Sequence, residues 1–380
     1  MRRENYKRLG EYIAPYLEKN VGLKVTLSQG INNNKYFQTP RQVAVDSEND
    51  QIVRTGQFAY NKATTRNGEK ISIAYREGPD CTVSSAYQVF YIKDEEKLNP
   101  HYLLMWFKRP EFDRYARFKS FGSAHEFFTW EEMCNVYLPI PSIEEQRKIV
   151  AEYQAVEQRI ENNNRLIKAL ENTAQAIYHH TFVENVDPEN LPEGWKLGTL
   201  GDFCETQYGY TETATSEPIG PKFLRITDIV KNSIDWEQVP YCPISDGEYK
   251  KYKLELGDIV VSRTGANVGW AKQIKGVIPN AVFASFLIRI KVKVLLYQWL
   301  IGFLIESTDF KQFVSMNQRG SAQPQANANV LVKYPIILPE KAIVNQFNKQ
   351  IIVINNYICS MEQDNSILMK TKNLLLSKLS

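Results

Sequence analysis

Between Ser142 and Phe182 the chain runs 41 residues without a proline or a glycine. Within that run Ile149, Tyr153, Val156, Ile160, Asn163, Ile167, Leu170, Ala174 and Ile177 are spaced 4, 3, 4, 3, 4, 3, 4, 3. That is a 3.5-residue repeat, and such a stripe stays on one line only when the helix winds against another helix. Ser142 followed by Glu145 is a capping box that starts the helix. At 1.5 Å per residue the rod is roughly 60 Å long.

Its partner is at the far end of the chain. Phe347, Ile351, Ile354, Ile358, Met361, Asn365, Leu368, Lys372, Leu375 and Leu379 keep the same alternation. Each of these positions lies 198 residues beyond an earlier one: 149 maps to 347 and 177 to 375. The same offset carries Phe112 to Phe310, Gly122-Ser123-Ala124 to Gly320-Ser321-Ala322, and Pro141 to Pro339. One shift that holds through helices and loops marks a tandem duplication of a globular unit followed by a long helix.

The buried amides predict how the rods pair. In a parallel, in-register pair Asn163 would face Met361 and Asn365 would face Ile167, and each layer would bury an amide against an apolar side chain. In an antiparallel pair the two Asn fall in one central layer, where they can bond each other and fix the register. Lys372 would then oppose Val156 and extend its ammonium to water.

Composition sets outer bounds. The 380 residues suffice for two or three domains, and 43% hydrophobic with 23% charged residues is ordinary for a globular protein. The net charge of +3 neither requires nor excludes nucleic acid. Five Cys, at 81, 134, 204, 242 and 359, form no CxxC pair and read as reduced thiols of a cytoplasmic protein. Arg2 and Arg3 are not followed by an apolar core, and the most apolar run, 292–305, is too short to span a bilayer.

The chain divides into a globular unit 1–141, a helix 142–182, a linker 183–194 (with Pro188 and Pro192), a second unit 195–339 and a second helix 340–380. In the first unit Leu23–Ser28, Gln51–Arg54, Ile71–Tyr75, Ala86–Ile92 and Val136–Ile140 read as strands, and Pro100–Phe118 as a helix. The second unit repeats the plan, with a strand after Gly257, another at Phe283–Lys291 and a helix at Tyr297–Phe313. Strands followed by a helix in each unit make an α+β fold.

No catalytic set emerges. Asp80, Glu95 and Lys97 fit the loose nuclease pattern PD…(D/E)xK, but the last two lie in an acidic turn (Lys93–Pro100) and not on a strand. His125, His179 and His180 give no metal-ligand spacing. Gly265-x-x-x-Gly269 lacks the Lys-Ser/Thr of a phosphate loop. What remains is polar loop chemistry. Lys62, Arg66, Asn67 and Lys70 share one loop, and Arg263, Thr264 and Asn267 occupy the comparable place in the second unit. Gln323, Gln325 and Asn327 form an amide-rich loop that follows Ser321, as Phe121–Thr129 follows the first unit's helix and holds Ser123. Arg can pair with guanine and Asn or Gln with adenine in the major groove, and Lys suits phosphates. Taken singly, these are ordinary solvated loops.

The segments GQFAYNKATTRNGEKISIA, SSAYQVF, RPEFDRYARFKSFGSA, LPIPSIEEQRKIV and ENTAQAIYHHTF, with GDIVVSRTGANVG, GSAQPQANANVL and LPEKAIVNQF in the second half, resemble the DNA-specificity subunit of type I restriction-modification enzymes over essentially the whole chain. The sequence departs from the family where the usual Glu-Gln at the start of the second helix reads Asn345-Gln346. The resemblance implies two α/β target-recognition domains separated by two long antiparallel coiled-coil helices. It implies partners: double-stranded DNA with a bipartite sequence, two copies of an adenine methyltransferase subunit, and a helicase-nuclease restriction subunit, with no membrane. It implies no cofactor in this chain, S-adenosylmethionine being bound by the methyltransferase. The rods would act as rulers for the unread base pairs between half-sites. The alternatives are a stand-alone metal-dependent nuclease using Asp80, Glu95 and Lys97, and a two-domain scaffold that binds something other than DNA.

Overall fold

The computed structural model describes residues 6–40, 48–63, 70–120, 126–184, 186–230, 233–317 and 326–379. Contacts divide the chain into two units, 1–162 with 365–380, and 163–364. The long helices Ile143–Phe182 and Lys341–Ser377 are therefore each shared between the units.

Unit 1 is built on a four-stranded antiparallel sheet in the order Ile13–Tyr16, Tyr87–Ile92, Phe58–Asn61, Ile73–Tyr75. Phe58 and Phe90 stack on its inner face at 5.0 Å, and Phe107 and Phe112 pack over them from two helices. These helices, Pro100–Phe107 and Pro110–Phe118, replace the single helix expected at 100–118. Pro110 has no N–H to give the helix, and it holds Arg109 in an extended conformation. The expected strand Leu23–Ser28 is also absent. The buried Asn20 accepts the N–H of Val25 and donates to its carbonyl, so a side chain takes the bonds a ladder would have used.

Unit 2 repeats the sheet order with Cys204–Tyr208, Leu287–Val292, Ile259–Ser262 and Ala271–Gln273. Gly56 and Gly257 precede the two central strands with φ of 89° and 86°, a turn that a Cβ would strain. The strand expected at 283–291 is two, Ala281–Phe283 and Leu287–Val292, split by a turn that Leu287 N–H closes on Ala284. The helix expected at 297–313 is likewise two, Gln298–Ile305 and Thr308–Met316, the second capped by Ser307.

The core of each unit takes in part of both long helices. In unit 1, Ile149, Val150 and Tyr153 of the first helix pack with Leu375, Leu376 and Leu379 of the second. In unit 2, Ala174, Ile177, Tyr178 and Phe182 pack with Phe347, Ile351 and Ile354, and the rings of Phe182 and Phe347 meet at 4.9 Å. In both units the start of one helix thus meets the end of the other, which is the antiparallel sense. Val156, Ile160, Asn163, Ile167, Leu170, Ile358, Met361, Asn365, Leu368 and Lys372 are half-buried, while most of their helical neighbours are exposed. Asn163 donates to Asp364 at 2.9 Å.

The first rod is fastened to its domain by Gln146, which is fully buried. It donates to the carbonyls of Lys97 and Pro141 and accepts the N–H of Asn99. The second rod corrects the reading of its junction. Lys341 stands where the 198-residue offset puts it, opposite Ile143, so the position of Gln146 falls to Val344. Asn345 and Gln346 are exposed, and the anchoring amide is Asn348, one turn on, which donates to the carbonyl of Leu296.

Lys372 does not extend to water. Its ammonium pairs with Glu157 at 2.8 Å over the ring of Tyr153. Lys108 also reaches Glu157, at 3.1 Å, and the hydroxyl of Tyr36 donates to it at 3.3 Å. Burial pushes the Glu157 carboxyl up, but the ammoniums of Lys108 and Lys372 together hold it below the usual glutamate range. A depressed carboxylate contributes stability that is present above its unfolded value near pH 4.5 and is lost as pH falls through the folded one. Glu157→Gln should therefore cost about 1–2 kcal/mol at pH 7. Thermal melts of parent and variant should converge as the pH is lowered towards 3; a gap that persists in acid would assign the cost to packing alone.

Candidate nucleic-acid interface

The central strand of each sheet, Phe58–Asn61 or Ile259–Ser262, is buried on both faces and ends abruptly in a cation. Lys62 and Arg263 take the next position in the two units. The N–H of Lys62 donates to Ala86 at 3.4 Å and that of Arg263 to Phe286 at 3.0 Å, both residues preceding the neighbouring strand. Their carbonyls accept the N–H of Phe128 and of Ala326, both at 2.9 Å. Phe128 and Ala326 are related by the 198-residue offset and follow the two Gly-Ser-Ala loops. The two cations thus occupy one backbone position, locked on both sides, in two unlike sequences.

The side chain of Arg263 lies over the ring of Tyr208 at 4.8 Å, and one terminal nitrogen donates to the carbonyl of Ser285 at 3.4 Å. Its Nε is buried without a hydrogen-bond partner. Thr264 precedes a tight turn, Gly265–Asn267, and its carbonyl accepts the hydroxyl of Ser262. Asn327 caps the helix Ala328–Leu331 by accepting the N–H of Val330, so its side-chain oxygen is already engaged. The next N–H, of Ala328, donates to the hydroxyl of Tyr208. The structure thus brings Arg263, Thr264 and the Asn327 turn to one edge of the sheet, with Tyr208 beneath. Lys62 is half-buried and Lys70 exposed. Arg66, Asn67, Ser123, His125, Ser321, Gln323 and Gln325 lie outside the described residues.

Sequence reasoning missed Tyr208, Ser285 and the exposed Phe286 and Phe127. Ser285 had a signal: Ala284-Ser285-Phe286 precedes one strand where Ser84-Ser85-Ala86 precedes the other. Tyr208 had none, because it comes from the edge strand Cys204–Tyr208 and meets Arg263 only through sheet pairing.

The geometry of the described residues does not favour the nuclease alternative. Asp80 pairs with Arg54 at 2.7 Å and accepts the N–H of Thr55, and the Arg54 guanidinium holds its carboxyl below the usual range. Glu95 is exposed, and Lys97 reaches Asp94 at 3.0 Å. Among the described residues no three His, Cys, Asp or Glu form a group able to hold a metal. His179 and His180 both contact Glu184, at 3.2 and 3.0 Å, on an exposed helix end. The five cysteines are free thiols, and among the described residues no helix is long and apolar enough to cross a membrane.

The chain matches the family model described as type I restriction modification DNA specificity domain twice, over residues 10–172 and 192–364. It belongs to that family. Two curated relatives are each 23% identical to it: the type I restriction enzyme MjaVIII and MjaIX specificity subunits of Methanocaldococcus jannaschii. The matched part covers 64% of this chain and 61% of the first relative's length, and 73% and 67% for the second. The crystal structure of the type I restriction-modification system S subunit from M. genitalium aligns over 100% of this chain and 97% of its own. Its TM-score is 0.60 at 12% identity, a likeness of fold.

The turn after Arg263 depends on two glycines of different tolerance. Gly265 has φ +74° and open space around it. Gly269 has φ +81°, and a Cβ there would stand 3.2 Å from the carbonyl oxygen of Lys311. Gly265→Ala should cost about 1 kcal/mol in backbone strain, and Gly269→Ala more, about 2 kcal/mol, because the tight contacts with Lys311 and Val314 must also give. Denaturant melts of the two variants should rank in that order; equal losses would mean that the helix yields to the methyl group.

Proposed function

We propose that this chain gives sequence specificity to a type I restriction-modification system and carries no chemistry of its own. Segments 1–141 and 195–339 act as target-recognition domains, and each reads one half of a bipartite site in double-stranded DNA. The helices 142–182 and 340–380, joined to the second domain through 183–194, set the number of unread base pairs. They also dock two copies of an adenine methyltransferase subunit, which binds S-adenosylmethionine. A helicase-nuclease subunit completes the restriction complex, and the assembly works in the cytoplasm, where the host DNA is.

The observation that carries this reading is the matched placement of Lys62 and Arg263. Two repeats hold a cation at one backbone position while the loops beside it have diverged. A shared frame with different loops is what reading two different half-sites requires. Arg263, backed by Tyr208, is suited to guanine, while Lys62 and Lys70 are suited to phosphate. Arg66, Asn67, Asn267, Gln323, Gln325 and Asn327 supply the remaining donors and acceptors, with Thr264, Ser123 and Ser321 as hydroxyl contacts.

Methylation mapping of a host that carries the chain and its methyltransferase partner should show methyl-adenine at a single split motif. A continuous motif, or no motif, overturns the reading. Arg263→Ala should cost about 1–3 kcal/mol, roughly 5- to 150-fold, at bases of one half-site alone. An even loss across all sequences would make Arg263 a phosphate contact.

A further inference from the structure

Each loop beside the central strand has two ends. The start is fixed by the strand and the bonds of Lys62 or Arg263. The far end is fixed differently in the two units, but against the same place.

In unit 1 the loop returns through Lys70 to Ile71. The N–H of Ile71 donates to Asp113 Oδ1 at 3.2 Å, and its carbonyl accepts Lys35 Nζ at 3.3 Å. Lys35 Nζ in turn bonds Asp113 Oδ1 at 2.6 Å, with the two side chains only 4% and 10% exposed. Asp113 stands in the helix Pro110–Phe118. The 198-residue offset takes Asp113 to Lys311, in the helix Thr308–Met316, and Ile71 to Gly269. In unit 2 the loop returns through Gly269, where a Cβ would stand 3.2 Å from the carbonyl oxygen of Lys311, a tight approach. The next residue, Trp270, lies under the ammonium of Lys311, 3.9 Å from its ring centre. The step after the anchor is the same in both units. The carbonyls of Ser72 and Trp270 accept the N–H groups of Asn61 and Ser262, at 2.9 and 2.7 Å.

We infer that Asp113 and Lys311 are positioning residues for the two reading loops, one through a buried ion pair and the other through a cation over an indole. Each fixes where its loop ends, at Ile71 in unit 1 and at Gly269–Trp270 in unit 2. The inference rests on the DNA-reading assignment above. Two physical points support it. Groups that read base edges must be held within about half an ångström, which a loop tethered at one end does not achieve. A buried ion pair is also weak evidence of stabilisation, because an apolar pair of similar size does as well or better. Burial lowers the pKa of Lys35, with Asp113 opposing, so the pair is retained at a cost in solvation. What it adds, and an apolar pair would not, is an acceptor for Ile71 N–H.

That difference supplies the test. The full chain, with its methyltransferase partner, is used to select from a library of randomised duplexes. The parent must first select a split motif; if it selects none, the DNA-reading assignment falls and the inference with it. The variant Lys35→Met/Asp113→Leu replaces the ion pair by an apolar one and should still fold, melting below the parent because it leaves the Ile71 N–H without its acceptor and the Ile71 carbonyl without its donor. Selectivity should fall about tenfold at the first domain's half-site and stay unchanged at the second. Lys311→Met should do the reverse, and it carries the test alone if the double variant does not fold. A folded variant that keeps the parent's selectivity at both half-sites, or loses both equally, overturns the positioning role.

Discussion

The structure depends on a seam that neither rod can close alone. A 3.5-residue stripe on one helix buries its side chains only against a matching stripe, and the match lies about two hundred residues away. Two helices side by side still leave their shared face partly open, so the middle of each ladder is half-buried. Full burial comes at the ends, where a globular core closes over the pair. Tyr153 and Phe347 are each only 2% exposed there, and a side chain buried to that degree is worth about 2–3 kcal/mol. The domains thus stabilise the seam, and the seam supplies part of each domain's core.

The two repeats have diverged by exchanging partners together. Gln146 with Val150 in one becomes Val344 with Asn348 in the other, so an anchoring amide persists one turn along. Tyr75 with Leu104 becomes Gln273 with Gly302, where the amide of Gln273 occupies the space a side chain at 302 would fill. Lys108 and Glu157 become Glu306 and Asn355, and the glutamate pairs with Lys275 instead. Lys372 becomes Ala174. The last two exchanges accompany a wider space between helix and domain, about 700 Å³ in unit 2 against about 230 Å³ in unit 1. Changing one member of such a pair strands a buried polar group, at a cost of about 1–3 kcal/mol, which favours paired change.

Much of this was legible in the chain. The rods and the duplication follow from spacing, because a helix repeats its contacts every three or four residues, and the antiparallel sense from where Asn163 and Asn365 fall in it. The sheets were legible in part. The strand read at Leu23–Ser28 has the right alternation, but alternation cannot reveal that Asn20 will take the backbone bonds of Val25. The single helix read at 100–118 overlooked what Pro110 does to its predecessor. For the candidate site, the position of Lys62 and Arg263 was visible from the repeat. Tyr208 beneath Arg263 was not, since strand pairing alone brings it there, nor was Asp113 behind Ile71, forty-two residues away.

The sharing of the helices has a consequence for the order in which the protein is made. Unit 2 is one unbroken run, 163–364, whereas unit 1 needs both 1–162 and 365–380. A ribosome delivers the run 365–380, with Leu376 and Leu379, only after all of unit 2 has emerged. The first half synthesised is therefore the second half completed, its core open at Tyr153 while the rest of the chain is translated. Folding from the N-terminus, the usual course for a multidomain chain, is here reversed for the last step.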